Sequence, residues 1–475
     1  VTMAINLASL SITKAAALLK DGTLTSRALT EAAIAAIKER DGDIHAFLEV
    51  FDDALSQADA ADVRIKNNDN VTALTGIPIA IKDNIVMVGK KATAGSKILE
   101  GYTAPYDATV IQKLKNAGAV LIGRANLDEF AMGSSTERSA WGPTKNPIDP
   151  TRVPGGSSGG SAAAVSGHMV LGALGSDTGG SIRQPASYCG IVGLKPTYGS
   201  VSRHGLIAMG SSLDVIGPLT KTVADAEALF SVIRGHDTMD GTTLPDYTLS
   251  EKTGRLTIGV PRAFVGEGVD ADVRAAFDAT LATLEKAGHT LLDIELPHIA
   301  HSLPVYYVIM PAEASTNLAR FDGVKYGLHV DGANRVEDTK LTRAAGFGAE
   351  VRRRIMLGAY VLSSGYYDAY YGKATAVRAL ITKEFSDAFK EVDVIATPTA
   401  PAPAFRFGEK SNDPLSMYLE DIFTVSANIA GIPGISVPMG SVARDSIDLP
   451  VGIQFMAAHQ NEGVLFRAGR AVTGE

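Results

Sequence analysis

Short apolar runs separated by amphipathic stretches recur along most of the chain, a pattern that predicts strands alternating with helices. Residues 11–20 read as a short helix, with Ser11 as its cap and Gly22 as its stop. Leu29, Ala33, Ile34 and Ile37 fall near helical spacing and predict a second helix over about 26–40. The apolar run 76–81 predicts a buried strand with Lys82 at its end. Residues 107–116 predict a helix, Gly118 breaks it, and 119–122 form the next strand. Past residue 256 the pattern is regular again. A strand over 256–260 is followed by Val273, Phe277, Leu281 and Leu284 on one helix face, then Gly288, then a strand over 290–296. A helix over about 376–390 leads into a strand over 392–396, and 434–437 and 451–455 predict two more strands. Continuous apolar strands set between helices define the α/β class.

The segment 133–217 departs from this rhythm. It is dense in Gly and Ser, yet it holds apolar runs at 170–174 and 191–194 and proline-fixed turns at Arg183-Gln184-Pro185 and Leu194-Lys195-Pro196. A flexible linker would not interleave strands and fixed turns, so the glycines are expected to serve close backbone packing around a site. Composition narrows the chemistry. Apolar residues make up 45% and charged residues 20%, ordinary values for a soluble globular protein. A net charge of −8 argues against a direct grip on nucleic acid, which needs a basic face. Cys189 is the only cysteine, which rules out an intramolecular disulfide and a Cys-rich metal site, and it is expected to be buried. No zinc-spaced histidine pair is present, and no metal is expected. A charged, apolar leader and an apolar run of about 18 residues are both missing, so a cytoplasmic protein without membrane contact is expected.

Two loops carry the candidate chemistry: Gly155-Gly156-Ser157-Ser158-Gly159-Gly160-Ser161 and Gly175-Ser176-Asp177-Thr178-Gly179-Gly180-Ser181. Glycine lets several backbone N–H groups converge on one point, where they can hold an oxyanion while a nearby serine attacks a carbonyl. The first loop also fits G-x-S-x-G, a match that any Gly/Ser run produces easily, and 150–154 is a poor strand to precede it. Taken with Lys82, the continuation Ile182-Arg183-Gln184-Pro185-Ala186, and Gly193-Leu194-Lys195-Pro196-Thr197, the whole string resembles the amidase signature family. Ser157 and Ser181 stand 24 residues apart, as in that family, and the resemblance runs from about Leu18 to Arg467. The blocks 126–137, 142–147 and 364–371 are most similar to members that serve tRNA-dependent amidotransferases as the glutamine-hydrolysing subunit.

The resemblance implies a single domain over 1–475, in an amidase signature fold whose large mixed β-sheet is covered by helices on both faces. Residues 1–60 would supply N-terminal helices, 61–240 the signature core, and 241–475 the half that completes the sheet and the substrate pocket. It implies a Ser–cisSer–Lys triad with Ser181 as nucleophile, Ser157 as bridge and Lys82 as base. Lysine can act as a base only when neutral, and burial without a carboxylate partner lowers its pKa from about 10.4. The backbone N–H groups of Thr178, Gly179 and Gly180 would form the oxyanion hole. Met132, Arg354 and Asp421 would contact the substrate, the Arg fork suiting a carboxylate and the Asp an ammonium. The implied activity is release of ammonia from glutamine for a partner subunit that binds tRNA, ATP and magnesium, with no cofactor on this chain. Arg138, where a small polar residue is usual, and an end soon after Gly469 are departures. They leave a stand-alone amidase acting on aryl amides, carbamates or esters as the alternative.

Overall fold

The computed structural model of the chain describes residues 5–249, 253–266, 268–411 and 413–475. At its centre lies one 11-stranded sheet. In chain order the strands are β1 (Phe47–Val50), β2 (Pro78–Lys82), β3 (Val120–Ala125), β4 (Gly172–Asp177), β5 (Val192–Lys195), β6 (Val215–Thr220), β7 (Thr257–Val260), β8 (Thr290–Asp293), β9 (Val394–Pro398), β10 (Gly434–Arg444) and β11 (Ile447–Ala457). They lie side by side as β1-β3-β2-β4-β6-β5-β10-β11-β9-β7-β8. The trio β3, β2, β4 is parallel, as is the trio β9, β7, β8. Antiparallel pairs join the two trios through the middle and add β1 at one edge.

Both faces of the sheet are covered, and the alternation of side chains along a strand makes this visible. In β9, Val394 and Ala396 belong to one apolar cluster and Ile395 to another; Phe455 and Met456 of β11 divide in the same way. The first cluster takes in the N-terminal helices through Ile12, Leu19, Leu29 and Ile37. The second packs Tyr306 and Met310 of the helix Ser302–Asn317 with Phe130, Met132 and Phe385.

Local chemistry sets the ends of the elements. Ser11 Oγ accepts the Lys14 N–H at 3.1 Å and opens the helix Ile12–Lys20. Thr25 caps the next helix, Ser26–Ile44, which runs a turn beyond 40 and stops at His45 in the left-handed region (φ 58°). β1 and β6 are strands that the apolar pattern does not announce, the first because it has four residues and the second because it contains Gly217 and Pro218. The strand expected over 290–296 ends at Asp293, and those expected at 434–437 and 451–455 are parts of a long hairpin. Arg183-Gln184-Pro185 is the start of a helix, Arg183–Tyr188, and not a turn; proline is tolerated in a first helical turn, where its missing N–H has no partner to lose. Cys189 is buried, its thiol directed at Pro154 O at 3.3 Å. No described helix is long and apolar enough to cross a membrane.

This topology brings the two chemistry-bearing segments together. β2 and β4 are parallel neighbours with Ile81 opposite Leu174. Lys82 therefore leaves the sheet on the side where β4 runs through Ser176 and Asp177 into the loop 178–181. The helix Gly159–Ser166 packs beside both strands and carries the other glycine loop on its N-terminal side.

Candidate active site

Every residue of β2 is buried, and Lys82 has no exposed surface. Its Nζ lies 2.8 Å from Ser157 Oγ, 2.8 Å from Ser158 Oγ, 2.9 Å from Ser176 Oγ and 3.3 Å from Ser176 O. All four are neutral acceptors. Burial drives the ammonium down to about 7, against the more distant charges of Asp128, Asp177 and Asp214, which favour it. The adjacent Asp83 turns to the other side of the strand, as alternation requires, and is held by Arg124 and Thr93.

The hydroxyl pattern around Lys82 is directional. Ser158 donates its proton to Ser176 O at 3.1 Å, so towards Lys82 it can only accept. Asn84 Nδ2 donates to Ser176 Oγ at 2.9 Å. Ser158 thus receives an N–H of the lysine, and Ser157 and Ser176 fill the other directions around Nζ. The Gly156–Ser157 peptide is cis. Ser157 has no exposed surface, whereas Ser181 is 8% exposed and is the member of the trio that reaches solvent.

Asp177 organises the loop that carries Ser181. Its carboxylate accepts from Gly180 N at 2.8 Å, Ile182 N at 3.1 Å, Arg183 Nε at 3.1 Å and Asn428 Nδ2 at 2.9 Å. Burial opposes ionisation, but Arg183 and its hydrogen bonds hold the carboxyl down to about 2. Arg183 is itself fully buried and donates to Thr424 O and Gln454 Oε1, which ties the loop to the C-terminal half of the chain. One expectation needs correcting here: the Gly180 N–H is already donated to Asp177. The N–H groups of Thr178, Gly179 and Ser181 are the donors left in this loop for an oxyanion. Thr178 is anchored through Oγ1 to Asp214 Oδ1 at 2.7 Å.

Asp421 is buried and accepts from Ser134 Oγ at 2.8 Å. Burial pushes its carboxyl up to about 8, against the Ser134 hydrogen bond and the charge of Arg354. Arg354 is also buried. It donates from Nε to Glu350 Oε1 at 2.9 Å and lies over the rings of Tyr307 and Tyr418, each 5.5 Å from the guanidinium carbon. Met132 has no exposed surface and packs in the second cluster with Tyr306 and Met310. The Ser157 loop and Asp421 are joined through one short path. Gly156 N donates to Gln184 Oε1, Gln184 Nε2 donates to Ser134 O, both at 2.9 Å, and Ser134 Oγ reaches Asp421.

Several contributors carry no sequence-level role: Ser158, Ser176, Asp128, Gln184, Glu350, Tyr307 and Tyr418. Asp128 is fully buried and accepts the N–H groups of Ser135, Thr136 and Arg138, which holds the loop that bears Ser134. For Glu350 a signal existed, since it stands four residues before Arg354 and such pairs meet on a helix. The tyrosines gave none, because they lie on or face a helix containing Pro311. Among the described residues no group of three or more His, Cys, Asp or Glu side chains is arranged to hold a metal ion.

The amidase family model matches residues 28–466, and the chain belongs to that family. It is 51% identical to the A subunit of glutamyl-tRNA(Gln) amidotransferase from Koribacter versatilis, over 99% of this chain and 98% of that one. It is 54% identical to the protein of the same name from Chloroflexus aurantiacus, over 97% and 96%. Among solved structures, the A subunit of glutamyl-tRNA(Gln) amidotransferase from Thermotoga maritima is similar at 44% identity, with a TM-score of 0.81 over 98% of this chain and 95% of that one.

Proposed function

We propose that this chain is the glutamine-hydrolysing subunit of a tRNA-dependent amidotransferase and that it works through Ser181, Ser157 and Lys82. Neutral Lys82 takes the Ser157 proton as Ser157 takes that of Ser181. The Ser181 oxygen then attacks the side-chain carbonyl carbon of glutamine. The N–H groups of Thr178, Gly179 and Ser181 stabilise the oxyanion that forms. The proton returns through Ser157 to the leaving nitrogen, the C–N bond breaks, and ammonia departs from a glutamyl-Ser181 ester. Water, activated by the same relay, cleaves that ester to glutamate and free Ser181. Arg354 would receive the α-carboxylate and Asp421 the α-ammonium, with Met132 in the apolar wall. An arriving ammonium favours the ionised form of Asp421, whose carboxyl is otherwise pushed up to about 8.

The observation that carries the reading is Lys82: buried, its ammonium driven by that burial down to about 7, and 2.8 Å from the hydroxyl of Ser157. The 51–54% identity to A subunits of glutamyl-tRNA(Gln) amidotransferase supports the choice of glutamine and of a partner subunit; in this reading that partner handles tRNA, ATP and magnesium. A fluorophosphonate label and glutamine turnover test it together. Wild-type protein is expected to be labelled and to release ammonia from glutamine, and Ser181→Ala to lose both. Labelling that survives in Ser181→Ala moves the nucleophile elsewhere. Fast cleavage of aryl amides, carbamates or esters with no glutamine turnover replaces the reading with a stand-alone amidase.

A further inference from the structure

Arg138 follows the buried segment Ser134–Thr136 directly after Glu137, and the structure gives it a partner. Its Nη1 donates to Glu350 Oε2 at 3.3 Å, and Glu350 is only 4% exposed. The same carboxylate receives Arg353 on Oε2, and Arg354 Nε and the Tyr418 hydroxyl on Oε1, the last two at 2.9 Å each. Burial alone would raise the Glu350 carboxyl, yet Arg354 and Arg138 hold it below the usual carboxylate range. Glu350 is therefore an anion shared by three guanidinium groups, and the cluster carries excess positive charge beside Arg354.

The two oxygens of Glu350 do different jobs. Oε2 is fixed from outside by Arg138 and Arg353, and Oε1 faces inward to Arg354. With Nε committed to Glu350, the Arg354 fork is left with its terminal nitrogens, one of which faces the sulfur of Met310 at 3.7 Å. Those terminal N–H groups are the ones free to meet an anionic ligand. Arg138 also belongs to the segment that reaches the other pole of the pocket. Its backbone N–H donates to Asp128 Oδ1 at 3.2 Å, and four residues earlier Ser134 donates to Asp421. Thr136, between them, bonds Gly155 O and receives Gly159 N, which flank the Ser157 loop. Five consecutive residues thus touch Asp421, the carboxylate that holds Arg354, and the Ser157 loop.

We infer that Arg138 is a specificity-positioning residue. Through Glu350 it fixes the orientation of the Arg354 fork and adds the positive potential that favours an amide substrate bearing a carboxylate over the same amide without one. This rests on the reading that Arg354 receives the substrate carboxylate. Arg138 itself touches no reacting atom.

The test uses two substrates that differ in one group: glutamine and 4-aminobutanamide, which is glutamine without its carboxylate. Both are followed by ammonia release with wild-type protein, Arg138→Ala, Arg138→Lys and Glu350→Gln. In Arg138→Ala the KM for glutamine is expected to rise about three- to tenfold with kcat within about twofold, while 4-aminobutanamide kinetics stay unchanged. Arg138→Lys should recover part of the loss, and added salt should narrow the gap between wild type and Arg138→Ala, because partly exposed charge is screened. Glu350→Gln, which keeps the shape and removes the shared anion, should lose preference for glutamine further. If wild type does not prefer glutamine to 4-aminobutanamide, the assignment of Arg354 fails. If wild type does prefer it and Arg138→Ala leaves the ratio of the two kcat/KM values untouched, or lowers both substrates alike, the role of Arg138 alone fails.

Discussion

Among the described residues, two lysines have no exposed surface and are driven by burial down to about 7: Lys82 and Lys195. Titration alone does not choose between them; contacts do. Lys195 donates to the carbonyl of Pro196 at 2.9 Å, an acceptor that has no proton to give. Lys82 is ringed by hydroxyls, one of them on Ser157, so only Lys82 can exchange a proton with a nucleophile's chain. Because the folded pKa of Lys82 is depressed, its basic form is absent well below pH 7 and dominant above it. Turnover is expected to rise with pH through about 7 and then level off, and Lys82→Ala should lose about a thousandfold in kcat, within the span of general-base contributions. A rate that is flat from about pH 5 to pH 8, or a Lys195→Met variant as impaired as Lys82→Ala, would contradict this. Lys82 was legible in the sequence as the residue ending an apolar strand, since an end of a buried strand is itself buried. What the sequence did not disclose is how its hydrogen bonds are shared. That depends on Ser158 and Ser176 approaching Nζ from two different segments, a relation set by strand register and not by spacing along the chain.

At the scale of elements, the loop between β4 and the helix Arg183–Tyr188 shows why its glycines stand where they do. Gly180 has φ 135°, a conformation side chains avoid, and a Cβ there would lie 2.2 Å from Thr424 Oγ1. Thr424 in turn donates to Gly179 O at 2.6 Å, so a side chain at 180 would push apart the contact that shapes the oxyanion loop. Gly180→Ala is expected to reduce kcat by about a hundredfold or more while the protein still folds, with a stability loss of about 1–3 kcal/mol from the strained backbone. Ammonia-release kinetics and a thermal melt would check both halves; full activity would mean the loop has room that the geometry denies. This loop could be read from sequence because its Gly and Ser residues stand together in one run, although the contact that requires Gly180 comes from distant Thr424. The helix Ser302–Asn317 could not, since Pro311 inside it reads as a breaker, yet it supplies Tyr306, Tyr307 and Met310 to the second apolar cluster, beside Arg354. Its proline is accommodated where tertiary packing outweighs local preference. β6 escaped notice for a similar reason: Gly217 is required by close approach to Leu194 O, where a Cβ would sit at 2.1 Å, and a glycine beside a proline looks like a turn.

For the whole molecule, the question is why a complete amidase site would serve a larger assembly. Ammonia at neutral pH is mostly ammonium, which is not a nucleophile, so release gains from occurring only when an acceptor is ready. The chain's net charge of −8 suits a division of labour in which tRNA is held by another subunit. One helix offers a physical route for coupling. Ala349–Val361 turns Glu350 and Arg354 into the protein and Met356, Leu357 and Tyr360 out of it. Whatever covers the outer side of this helix acts on the element that carries Arg354. A partner that prefers the state with Arg354 aligned would raise glutamine affinity by its differential binding energy, and glutamine would strengthen partner binding by the same factor. The isolated chain is therefore expected to be a weak glutaminase, stimulated about five- to a hundredfold by the tRNA- and ATP-binding partner, the range of ordinary allosteric coupling. The measurement is ammonia release from glutamine and from 4-aminobutanamide, with and without that partner. Stimulation confined to glutamine locates the coupling at the carboxylate-binding end of the pocket. Equal stimulation of both substrates locates it at the Ser181 loop. No stimulation of either, from a chain that already turns over an aryl amide or a carbamate rapidly, rejects the amidotransferase assignment.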